Sequence, residues 1–137
     1  MGITEQDIYQ YISQIGGVPG GSASIWAVKM PSVFNMVVFG PMANLFDLRY
    51  NIMNISRDRI IIIGVDNAGR LTPLHVCLNK NEVQRIKIKN KFLSSQVEII
   101  TENGSLVYTV NKVMIGSSFH KMNYGNAICL LEQYNSN

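Results

Sequence analysis

Arg59-Ile60-Ile61-Ile62-Ile63-Gly64-Val65, followed by Asp66-Asn67-Ala68-Gly69, is the stretch on which the fold turns. The first seven residues include five β-branched ones, a run of strand length. The next four are turn formers and predict a hairpin loop. This strand reads as a central one because it is the most apolar. Upstream, Ser56-Arg57-Asp58 turns the chain out of a strand at 49–55, and an earlier strand covers 24–29. Downstream, strands are expected at 71–78, 82–89, 96–101 and 106–111. Asn79-Lys80-Asn81 turns the first of these, and Asn103-Gly104 is a tight hairpin signal between the last two. After Gly116 the period lengthens. Phe119, Met122, Ala127, Leu130, Leu131 and Tyr134 predict a helix over 118–134, and Gly125 within it points to a close helix–sheet approach.

The beginning of the chain is helical in pattern. Ile8, Ile12 and Ile15 make one apolar stripe over residues 4–15. Thr4 and Asp7 are spaced as a capping box, Ile3 and Ile8 as a hydrophobic staple. Gly16-Gly17 ends the helix, and Gly16–Ser22 is linker-like, with four glycines in seven residues. A phosphate-binding loop would need a preceding strand, which is missing. The organisation expected is a helical extension at 1–17 and a domain at 22–137, mainly β within the α+β class. Its sheet is seven-stranded, antiparallel and bent into a partly open barrel, with the C-terminal helix at one end.

The chain has 137 residues, 47% hydrophobic and 15% charged, enough apolar material for one core. The acidic start Met1–Asp7 lacks a basic segment followed by an apolar one, and Cys77 and Cys129 read as reduced core residues. A cytoplasmic protein is the expectation.

Seven short strands and a terminal helix match the element count of the pleckstrin-homology superfold. Asn54-Ile55-Ser56-Arg57-Asp58-Arg59-Ile60 resembles a strand pair of small bacterial PH-like (GRAM-like) domains. Glu82-Val83-Gln84-Arg85-Ile86-Lys87-Ile88-Lys89-Asn90-Lys91-Phe92-Leu93-Ser94-Ser95 is similar to their "Ile-x-x-Ile-x-x-Lys-x-Gly-Leu-x-x-Ser" passage, with Lys91 where they carry glycine. The likeness spans about residues 50–134. It implies a non-enzymatic interaction module, since many such domains have no assigned activity. Members that bind phosphoinositides carry basic residues around the first strand connection; here only Lys29 and Arg49 border it.

Catalytic signatures are sparse. His75 and Cys77 share a strand face, and His120 and Cys129 share the terminal helix, but their spacing is not that of a zinc site. Ser94-Ser95 and Ser117-Ser118 sit where turns and caps favour serine. No enzymatic activity, metal or cofactor is expected; a small hydrolase or metal-dependent enzyme is the least favoured alternative.

Charge is more informative. Residues 51–91 carry eight basic and three acidic groups, whereas each flanking segment is net −1. Arg85, Lys87, Lys89 and Lys91 alternate with Ile86, Ile88 and Asn90, so the cations line one strand face and form a candidate anion-binding stripe. The stripe lacks interleaved aromatics for base stacking, which argues against nucleic acid. Between the first two strands, Met30–Leu48 has one charge in nineteen residues. Phe34, Met36, Val38, Phe39, Met42 and Phe46 are its candidate contacts, with a second copy of the chain, a protein partner or a membrane. A self-associating interaction module is the first expectation. A peripheral domain that presents the apolar connection and the basic stripe to an anionic membrane is the second.

Overall fold

The computed structural model describes residues 2–30 and 48–135. Elements follow in the order α1 (Glu5–Gln14), β1 (Ala23–Lys29), β2 (Tyr50–Ile55), β3 (Arg59–Val65), β4 (Leu71–Asn79), β5 (Val83–Asn90), β6 (Ser94–Thr101), β7 (Gly104–Asn111) and α2 (Ser118–Gln133). All strands join one antiparallel sheet in the order β4-β3-β2-β1-β7-β6-β5. β4 and β5 are its free edges, so the sheet bends without closing. The short 3-10 helix Lys80–Glu82 links those edges.

Alternation sorts each strand's side chains between two faces. On the inner face, Ile25, Met53, Ile60, Ile62, Ile86, Val97, Ile99, Leu106, Tyr108 and Val110 pack with Ala127, Leu130 and Leu131 of α2 and with Tyr134 just after it. On the outer face, Ile52, Ile61, Ile63 and Val65 meet Ile8 and Ile12 of α1. β2 and β3 are therefore covered on both sides, which explains the unbroken isoleucine run. β3 is an interior strand, but the middle of the sheet is β1. Apolar density reports coverage of both faces, not rank within the sheet.

The capping box forms as the spacing predicts. Asp7 N–H donates to Thr4 Oγ1 at 3.1 Å, and Thr4 N–H to an Asp7 carboxylate oxygen at 2.8 Å. Gly16 leaves the helix with φ 87°, and Gly17 presses the chain close: a Cβ there would lie 2.6 Å from Ile12 Cγ2. Arg59 donates to Val18 O at 2.9 Å, and Tyr11 OH to Thr72 O at 2.8 Å, so α1 is pinned across the outer face.

The β6–β7 hairpin pairs Thr101 with Gly104 around a two-residue loop, Glu102-Asn103. The positive φ falls on Gly104, at 135°, and not on Asn103. Asn135 follows α2 and grips the open β5 edge. Its amide accepts from Ile86 N–H at 2.9 Å and donates to Ile86 O at 2.7 Å. The neighbouring Tyr134 OH donates to Ser56 O at 2.7 Å.

The close approach expected at Gly125 is absent. A Cβ there would meet nothing within 4 Å, because α2 turns this residue to solvent. The glycine thus has the backbone freedom of an exposed helix interior without any packing return. Gly125→Ala should raise stability by about 1 kcal/mol and Tm by roughly 3 °C, measured by thermal melting; an unchanged or lower Tm would refute this reading.

Candidate functional site

Arg85, Lys87 and Lys89 project from the outer face of β5, and all are exposed. Their cross-strand neighbours are Ile100, Glu98 and Gln96. The alternating partners Ile86 and Ile88 turn inward, as period two requires. Lys91 lies one residue past the strand, in the β5–β6 turn, so the stripe is three strand cations and one turn cation. Glu98 stands directly opposite Lys87, yet the one ion pair among the described residues is Arg70–Asp66, at 3.4 Å. The stripe's cations are thus open to an external anion. α1 covers the outer face over β2–β4 and leaves the β5–β7 part uncovered among the described residues.

The border of the first strand connection offers no such site. Lys29 is buried, its ammonium donates to Met30 O at 2.8 Å, and burial pushes its pKa down. Arg49 lies over the ring of Tyr50, 5.5 Å from its centroid. The contact candidates Phe34, Met36, Val38, Phe39, Met42 and Phe46 all fall outside the described residues.

The soft ligands are dispersed, and among the described residues no three His, Cys, Asp or Glu side chains converge on a metal position. Cys77 and Cys129, expected in the core, are both exposed. Cys77 lies on the edge strand β4. Cys129 lies on the side of α2 away from Ala127, Leu130, Leu131 and Tyr134. His75 meets the edge of the Tyr11 ring, with centroids 5.8 Å apart. Ser95 donates to Asn90 Oδ1 at 2.7 Å and accepts from Tyr124 OH, which braces the β5–β6 turn against α2.

His120 has a different role. β1 and β7 pair only at Val28–Thr109 and Lys29–Tyr108, and then separate. The fully buried His120 ring fills the gap. Its Nδ1 accepts from Trp26 N–H on β1 at 3.0 Å, and its Nε2 bonds Asn111 O on β7. A backbone N–H can only donate, so Nδ1 is unprotonated and the hydrogen resides on Nε2. Next to it, Asn123 of α2 donates to Glu5 of α1 at 2.7 Å and to Ser24 O at 3.0 Å. Asn54 donates to Ser24 Oγ at 2.8 Å. This polar seam ties both helices to the split in the sheet.

A scan against protein-family models finds no match for the chain, and a search of curated proteins finds none either.

Two pieces of chemistry emerge: an uncovered cationic strand face, and a neutral imidazole committed to holding the sheet. The second has a pH signature. Burial lowers the His120 pKa, and the Asn111 carbonyl opposes this only in part. The unfolded chain therefore binds a proton, at an ordinary imidazole pKa of about 6.5, that the native state refuses. Stability should be level above that value. It should decline as pH falls below it, down to the depressed native pKa. Urea unfolding of wild type and His120→Gln across this range checks it: the variant should lack this component of the slope. His120→Leu, which strands two backbone groups, should cost about 2 kcal/mol or more.

Proposed function

We propose that this chain is a non-enzymatic interaction module of the PH-like kind, working by docking the outer face of β5 on an anionic surface. The observation that carries the reading is the uncovered face bearing Arg85, Lys87 and Lys89, continued by Lys91 at the turn, all exposed. The strand order and the C-terminal helix across the open sheet support the PH-like part. The two histidines support the non-enzymatic part, since His120 is bonded to backbone on two strands and His75 packs against Tyr11.

Near an anionic leaflet each cation is worth about 1 kcal/mol. Four together provide about 4 kcal/mol, which corresponds to millimolar binding. The stripe steers and orients; firm attachment needs a further contact. Because the charges are exposed, the interaction should weaken steeply with salt.

Flotation with phosphatidylglycerol-containing vesicles at low salt tests the reading. Wild type should bind, and Lys87→Glu/Lys89→Glu should lose at least tenfold in partition coefficient with an unchanged melting temperature. Equal binding by both proteins, or binding by neither, would refute it.

A further inference from the structure

The cationic face ends in an apolar point. In the β5–β6 turn, Lys91 N–H donates to Ser94 O at 2.8 Å, which closes the turn tightly. Phe92 and Leu93 are left 89% and 72% exposed. Lys112 N–H donates to Leu93 O at 3.0 Å, so the segment leaving β7 runs beside the turn and adds Val113, 60% exposed. Three large apolar side chains thus protrude together at one end of the strands. The Asn90–Ser95–Tyr124 hydrogen bonds anchor the turn to α2, so its conformation is set before any partner arrives.

Cations dominate the surroundings. Residues 83–97 and 103–131 supply the turn, β5, the adjoining half of β6, β7 and most of α2, and they contain no Asp or Glu; the one carboxylate on these three strands is Glu98, opposite Lys87. They contain Arg85, Lys87, Lys89, Lys91, Lys112 and Lys121. An exposed phenylalanine and leucine would ordinarily be an aggregation hazard; within a field of cations they suit a partner that is anionic outside and apolar just beneath. A protruding turn offers no groove to a shaped protein partner, whereas a fluid bilayer yields to it. Met30 leaves β1 beside Val107, towards the Gly104 end of β7, whereas this turn lies beside Lys112 at the other end.

We propose that the β5–β6 turn is a membrane-insertion tip. Phe92 and Leu93, with Val113 beside them, enter the headgroup–acyl boundary of an anionic bilayer, while Lys89, Lys91 and Lys112 bind its phosphates. The proposal rests on the anionic-surface reading above and supplies the contact that the stripe alone lacks. It moves the apolar contact from the first strand connection to the β5–β6 turn.

The test uses the full chain and vesicles of phosphatidylcholine with about one third phosphatidylglycerol, at about physiological ionic strength. Phe92→Asp/Leu93→Asp should lower the partition coefficient more than tenfold, a loss in keeping with two buried side chains of this size. Its melting temperature should match wild type, because both side chains are solvent-facing. Phe92→Trp should show a blue-shifted emission on vesicle addition, read as a difference from wild type with its Trp26. If wild type binds, the lysine variant fails and the Asp pair binds like wild type without a shift in Phe92→Trp, insertion is overturned and surface docking stands. If wild type does not bind these vesicles even at low salt, the docking reading falls, and the tip with it.

Discussion

An imidazole replaces backbone pairing where β1 and β7 part, and the shape of the molecule follows from that substitution. A sheet of seven twisted strands has to bend to cover one core, and the bend opens a seam at β1. Trp26 N–H and Asn111 C=O face each other across the seam, too far apart to bond directly in the strand register. His120 reaches both. Because the histidine belongs to α2, satisfying the seam also places the helix. Phe119 is then directed toward the α1 side, and Leu130, Leu131 and Tyr134 toward the inner core. The sheet, its terminal helix and the first helix are thus fixed by one local requirement, that buried backbone groups find partners.

The two faces divide the labour. Over β2–β4 the outer face is apolar and α1 occupies it; over β5–β7 the same face carries the β5 cations beside Gln96, Glu98 and Ile100 of β6 and stands uncovered among the described residues. Burial on both sides leaves Ile52, Ile61, Ile62 and Ile63 of β2 and β3 almost wholly excluded from solvent. The cationic face joins that half of the sheet through β1 and β7, so the backbone that carries Arg85, Lys87 and Lys89 is tied into the sheet although β5 is an edge.

Much of this was legible in the residues. Period two located all seven strands, Asn103-Gly104 marked the last hairpin, and Thr4 with Asp7 marked the first helix start. What local pattern lacks is neighbourhood. Cys77 reads as core because an unpaired cysteine is among the residues most often buried, yet its strand is an edge and its side chain is exposed. Gly125 suggests contact, but only the helix's orientation shows that it faces outward. Phe92 and Leu93 fall between the strands expected at 82–89 and 96–101, and sequence position alone does not show that they protrude beside Lys112. The available clue was that they follow Lys91 where alternation stops, so a turn and not a buried face should hold them. His120 carried no local signal for its bridging role, which depends on two strands far away in sequence.

Asn135 has a consequence for association. Its amide offers one donor and one acceptor to Ile86, as one residue of an eighth strand would. An edge strand with its groups unpaired is a template onto which another chain can add. Occupying the backbone of Ile86, in the middle of β5, with a side chain breaks that template. Shortening the chain ahead of Asn135 would uncover a continuous row of donors and acceptors along β5, leaving only repulsion between its lysines to oppose strand-to-strand growth. One amide therefore helps to keep a finite sheet from becoming the seed of an extended one.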